Sequence, residues 1–247
     1  MMPWRRRSGG ALATAFLVLI LAVMAGVAGA ASRRPPGSAS QLVKAAIAAA
    51  KHQGSVRVTV HFVTGNVTGE VVEDSARQSG VQTVAIGKER ISIILLNGTA
   101  YVTGNSQGLI SYFGFPASIA STMAGRWISI TPSEPGYQSV IAGLTLSSAL
   151  TEVSPTGTLS EGKRSTVDNQ STWSVLGTGS AHQPPTTLFV ATSGRGLPVG
   201  AVTARHGGTT LTGQIVTFSR WGETVHIPQP TSPVSISTLS SGSTNAG

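Results

Sequence analysis

The sequence predicts a mainly β fold of the α+β class, a curled antiparallel sheet or half-open β-barrel with two or three helices over its concave face. Three observations predict it. Val56, Val58, Val60 and Phe62 alternate with Arg57, Thr59 and His61, the period-2 pattern of a strand with one buried face. Short turns then recur, the strongest being Asn97-Gly98, a hairpin signal between two apolar runs. Helical patterning is confined to the start and the middle of the chain. A sheet of about ten or more strands must curl or split, which leaves its concave face for the helices.

The elements follow in order. Ser40 is placed to cap a helix running to about His52, with Leu42, Ala45, Ala46, Ile47, Ala49 and Ala50 as its apolar face and Gly54 as its stop. Strands are expected at Val56–Phe62, Val67–Glu73, Val81–Ile86, Arg90–Leu96 and Thr99–Thr103. The middle brings a bulky apolar stretch over 108–125, a short helix at Ala117–Ala124, a strand at Arg126–Ile130 and a helix at Tyr137–Leu150. The second half reads as strands at Gly157–Val167, Ser171–Leu176, Thr187–Ala191, Val199–His206, Thr209–Phe218 and Thr224–Ile227.

Ahead of the domain, Arg5-Arg6-Arg7 precede an uncharged run from Ala11 to Val27 centred on Phe16-Leu17-Val18-Leu19-Ile20-Leu21. Ala28-Gly29-Ala30 then offers the small residues at which a signal peptidase cuts. Residues 1–30 read as a secretory signal peptide or as an uncleaved membrane anchor, since the uncharged run approaches the ~20 residues that span a bilayer. Either reading exports the chain, to a periplasm-like space, the cell envelope or the exterior. Residues 31–39 form a linker, 40–228 the domain, and 229–247 a flexible Ser/Thr-rich tail.

Composition narrows the partners. The sequence has no cysteine, which excludes disulfides, thiol nucleophiles and cysteine metal sites. Ala/Gly/Thr/Val-rich usage suggests a bacterial source. The formal charge of +8 loses three arginines with the leader and two more, Arg33 and Arg34, in the linker, so the folded part carries about +3. No basic run with interleaved aromatics occurs there, which argues against nucleic acid.

Polar chemistry is sparse. Gly104-Asn105-Ser106-Gln107-Gly108 fits the G-x-S-x-G pattern after a strand, with Asp168 and then His182, His206 or His226 downstream in hydrolase order. A nucleophile elbow belongs on a parallel sheet, however, and this chain reads as antiparallel hairpins. The histidines, which also include His52 and His61, are scattered without metal-ligand spacing. Glu70, Glu73 and Asp74 read as a solvated strand end rather than a catalytic carboxylate pair. Asn66, Asn97 and Asn169 begin glycosylation patterns, of which Asn97 is already explained by its turn. No cofactor is implied.

The ordered stretches carry a resemblance. An Ala-rich helix leads to strands reaching Asn97-Gly98-Thr99-Ala100-Tyr101-Val102. Tyr112–Phe115 then precede Ala124-Gly125-Arg126-Trp127-Ile128, a helical insert precedes Gly157-Thr158-Leu159, and the end is Phe218-Ser219-Arg220-Trp221-Gly222 with Ile227-Pro228. In this order the chain resembles the actinobacterial LppX/LprG lipoprotein family, related in architecture to the LolA carrier. That resemblance implies a half-open barrel with helices over its mouth, enclosing an apolar cavity for lipid or lipoglycan acyl chains near a membrane surface. Members usually carry a lipidated cysteine after the signal, and this chain has none.

Leu109, Tyr112, Phe113, Phe115, Ile119, Met123, Trp127, Ile141 and Leu144 are the candidates to line or lid such a cavity, although each alone also fits an ordinary core position. The leading expectation is an exported lipid carrier and not an enzyme. The alternatives are an envelope module that binds protein or polymer without a cavity and, third, a serine hydrolase using Ser106.

Overall fold

The structure, a computed structural model, describes residues 37–180, 183–207 and 210–241. The expected signal or anchor and residues 31–36 of the linker lie outside them.

Helix α1 (Ala39–Gln53) starts two residues before the sequence suggests, because Ser38 and Gln41 close a capping box and Ser40 sits inside the first turn. Gly54 ends it at φ 82°. Strands β1 (Ser55–Thr64), β2 (Val67–Ala76), β3 (Gly80–Ile86), β4 (Glu89–Leu96) and β5 (Thr99–Gly104) form an antiparallel meander. Its β4–β5 turn has Asn97 at φ 52° and Gly98 at φ 75°, the two positive angles of a type I′ hairpin.

After β5 come α2 (Ser106–Phe113), α3 (Ala117–Met123) and β6 (Ile128–Ile130). The single helix expected over Tyr137–Leu150 is two, α4 (Tyr137–Val140) and α5 (Leu146–Val153). Gly143 at φ 85° breaks the path, and Thr145 caps the new start by accepting from Ser148 N.

A second antiparallel run comprises β7 (Leu159–Val167), β8 (Gln170–Gly177), β9 (Thr186–Ala191), β10 (Pro198–Gly207) and β11 (Thr210–Ser219). The strand expected at Thr224–Ile227 does not form. β11 already has β1 and β10 on its two sides, so a further hairpin strand there has no free edge to join. Residues 234–241, expected as part of the tail, form β12 (Val234–Ser235) and α6 (Ile236–Ser241).

The described strands make one open twelve-stranded sheet in the order β12-β6-β5-β4-β3-β2-β1-β11-β10-β9-β8-β7. All neighbours are antiparallel except β12, which runs parallel to β6 and covers its short edge. The two meanders join once, where β1 pairs with β11 from Arg57–Ser219 to Thr64–Thr212. The helices pack on one face in two groups. α1 and α5 form a core with β1, β9, β10 and β11 around Ala50, Val56, Leu150, Leu188 and Val216. α2, α3 and the α4–α5 segment form a second with β3 to β6 around Ile91, Val102, Leu109, Met123 and Leu144. Among the described residues no helix is long and apolar enough to cross a membrane.

Candidate functional site

Residues directly opposite in an antiparallel ladder point to the same face, so the register traces the helix-covered face across the sheet. Val60 lies opposite Val71, Val71 opposite Val84, and Val84 opposite Ile91. In the next row Phe62 lies opposite Gly69, and Gly69 opposite Ile86. Burial falls along this face. Val56 and Val58 are sealed under α1 and α5, whereas Val60, Phe62, Val71 and Ile86 are only half-buried. Phe62 lies across Gly69, where a Cβ would come within 2.3 Å of its ring. The glycine therefore admits the ring to the sheet surface. The concave face thus ends in an apolar mouth near the β1–β2 and β3–β4 turns.

Helix α2 borders that mouth. Asn105 caps it by accepting from Gly108 N at 2.9 Å, and the same side chain ties it to the β3–β4 turn by donating to Lys88 O at 2.7 Å. Ser111 Oγ adds a bond to Glu89 at 2.6 Å. Leu109 faces the core, and Tyr112, Phe113 and Phe115 form a half-exposed aromatic chain with ring centroids 6.4 Å and 6.1 Å apart.

The expected cavity residues divide by burial. Leu109, Met123 and Leu144 are fully inside the second core. Tyr112, Phe113, Phe115, Ile119 and Ile141 are partly buried against it. Trp127 is half-buried beside β12, its carbonyl accepting from Val234 N at 2.9 Å. Two open clefts lie elsewhere. One of about 420 Å³ sits among Asp168, Arg195, Phe218, Arg220 and Trp221, and one of about 260 Å³ among Arg57, Asp74, Arg220 and His226. The larger mixes Leu197, Val199, Phe218 and Trp221 with the charged Asp168, Arg195 and Arg220, and the smaller is mainly charged and polar.

A polar seam between the two cores has no counterpart in the sequence reading. Glu70, Glu73 and Asp74 are not together a solvated strand end: all three stand within β2, Glu70 exposed and Asp74 half-buried on one face and Glu73 buried on the other. Glu70 pairs with His61 at 3.4 Å, and Asp74 with Arg57 at 2.6 Å. Glu73 points under the helices at 5% exposure. It is hydrogen-bonded to Ser75 Oγ and accepts from Gln82 Nε2 at 3.2 Å. Ser75 Oγ also faces Gly143 O at 3.3 Å, so one hydroxyl hydrogen stands between two acceptors. A proton on Glu73 satisfies both. Burial, the largest cause, pushes this carboxyl up to about 8, against the opposing Ser75 and Gln82 bonds.

The hydrolase constellation is not assembled. Ser106 opens α2 after β5, while Asp168 lies in the β7–β8 turn, with seven strands of the sheet between β5 and β8. His182 lies outside the described residues, and His226 lines the smaller cleft beside Arg57. Among the described residues no group of three or more histidines and carboxylates is placed to hold a metal.

No family model and no curated protein matches the chain. Among solved structures it is similar to the lipoprotein LppX of Mycobacterium tuberculosis, at 16% identity over 77% of this chain and 98% of that one, with a TM-score of 0.49. It is also similar to a LolA superfamily protein from Nitrosomonas europaea, at 12% identity over 78% of this chain and 96% of that one, with a TM-score of 0.29. The chain has the open, curled antiparallel sheet with helices on one face that its resemblance to the LppX/LprG and LolA proteins implied.

Proposed function

We propose that this protein is an exported carrier that shields lipid acyl chains within the cell envelope. The observation that carries the reading is the half-buried apolar mouth. Val60, Phe62, Val71 and Ile86 continue the concave face beyond the sealed core, and Tyr112, Phe113 and Phe115 stand beside it. An acyl chain laid there gains ~0.8 kcal/mol for each CH₂ removed from water, so long chains are held without a polar recognition motif. The helical layer divides into two groups, and lipid entering between them would have to displace the loop seated over Glu73.

The test is solvent extraction and lipid mass spectrometry on the protein purified from the cells that make it, with competition by a fluorescent fatty-acid probe. Lipid in stoichiometric amount, displaced by the probe, is the expected result. Protein that carries no lipid and takes up no probe overturns the carrier reading and favours an envelope module with a filled core.

A further inference from the structure

We propose that the mouth end of the sheet is a docking surface for an anionic lipid bilayer, centred on Ile110 of α2; this rests on the carrier reading, since a carrier must bring its mouth to the membrane it serves. Few large apolar side chains stand exposed among the described residues, and two of them are at this end. Ile110 is 41% exposed on the outer flank of α2, and Val67 is 47% exposed at the β1–β2 turn. Ile110 lies one helical turn before Phe113, which carries the apolar surface on to Phe115 and Tyr112.

A basic rim surrounds this surface. Lys88 lies in the β3–β4 turn and Arg90 at the start of β4, its guanidinium donating to Gly87 O and Glu89 O, and this end is bonded directly to α2 through Asn105. Arg126 follows Gly125, whose N–H donates to Gly104 O at the end of β5. That places Arg126 beside the start of the same helix. Glu89, the first residue of β4, accepts from Ser111 Oγ, and the exposed Glu70 of β2, in register with Arg90 through Ala85, is paired with His61. Three cations against these two carboxylates leave the rim net positive around exposed aliphatic and aromatic groups, which matches the interface of a negatively charged membrane. The other exposed apolar residues, Leu176 and Ile215, sit on the opposite sheet face without helices, since their chain neighbours Val175 and Val216 are buried on the inner face.

The experiment is vesicle flotation with the chain from Arg33 onward, which contains every core residue and omits the apolar run Ala11–Val27 that would itself enter a bilayer. Phosphatidylcholine vesicles with and without phosphatidylglycerol are compared. The protein is expected to float with the anionic vesicles, and less so as salt rises. Ile110→Asp is expected to lower the bound fraction about tenfold, and the double change Lys88→Glu with Arg90→Glu to remove the preference for phosphatidylglycerol. Leu176→Asp is expected to float like the parent.

No flotation of the parent, an unaffected Ile110→Asp variant, or an equal loss in Leu176→Asp each overturns the docking surface. Fatty-acid probe uptake, measured without vesicles, separates the two readings. Uptake without flotation leaves the carrier standing and removes the surface. Flotation through Ile110 without uptake keeps the surface and removes the carrier.

Discussion

Gln82 Nε2 donates to Glu73 Oε2 at 3.2 Å across the β2–β3 ladder, directly beneath the loop that joins α4 to α5. Among the described residues neither meets a cation there. The groups that face the carboxyl are Ser75, Gln82, the Gly143 carbonyl and the Glu152 carboxylate of α5, while Asp74 acts from the other face of β2.

Stability therefore depends on pH in a defined direction. Glu73 holds its proton to about 8 in the folded protein and releases it near 4.5 once unfolded. Its contribution is complete below the unfolded value, declines as pH rises, and is lost above about 8. The slope within that window is about 1.4 kcal/mol per pH unit. Urea midpoints across the window are expected to fall more steeply for the parent than for Glu73→Gln. Parallel curves would show that this carboxyl does not titrate on unfolding.

The loop's seat on the sheet is equally specific. A Cβ at Gly80 would come within 2.1 Å of the Leu144 carbonyl oxygen, a backbone atom that cannot swing aside. Gly80→Ala is expected to cost roughly 2 kcal/mol or more by urea unfolding, because the loop must lift. A cost below about 0.5 kcal/mol would mean that the loop is not docked there.

At the mouth, Phe113→Asp sets a charge among the half-exposed rings without entering the sealed core. Fatty-acid probe affinity is expected to drop by about tenfold or more, while the urea midpoint stays within about 1 kcal/mol of the parent. Unchanged affinity would remove this residue from the binding surface.

The first core answers to ordinary packing. Leu150 on α5 is 1% exposed, and Leu150→Ala is expected to cost ~2–5 kcal/mol. Leu176, 42% exposed on β8, is expected to cost under about 0.5 kcal/mol in the same substitution. Equal costs would contradict the burial described for α5.

The strands were legible because period-2 alternation survives wherever one face is wet, and Asn97-Gly98 needs no tertiary context to turn. Helix α2 was hidden by its brevity and by Gly108. Its one local signal was Asn105, placed to cap, which the G-x-S-x-G reading absorbed. Glu73 was illegible for a different reason. Val71 and Val72 make both faces of β2 look apolar, so only the hairpin register, which brings Gln82 opposite Glu73, reveals the buried side. Residues 234–241 sit in a Ser/Thr-rich stretch that hides their order, which comes from the edge of β6, more than a hundred residues away, and from packing Val234, Ile236 and Leu239 on the second core. Phe113 and Phe115 stand out in the sequence as bulky aromatics, and the structure joins them with Tyr112 in one half-exposed chain. The packing of Phe62 across Gly69 emerges only once the strands are paired.

The single junction between β1 and β11 has a consequence for how the chain assembles. Every other ladder of the sheet except that of β12 links strands adjacent in sequence, or separated only by the short helices between β5 and β6. Each meander can thus form from local contacts, which is the fast kind of assembly. The long loop closure is confined to one step, the zipping of Arg57–Thr64 against Thr212–Ser219. Because the chain is made from its N-terminus, the first meander stands with the outer edge of β1 bare until β11 arrives, so that edge is where premature association between chains would begin.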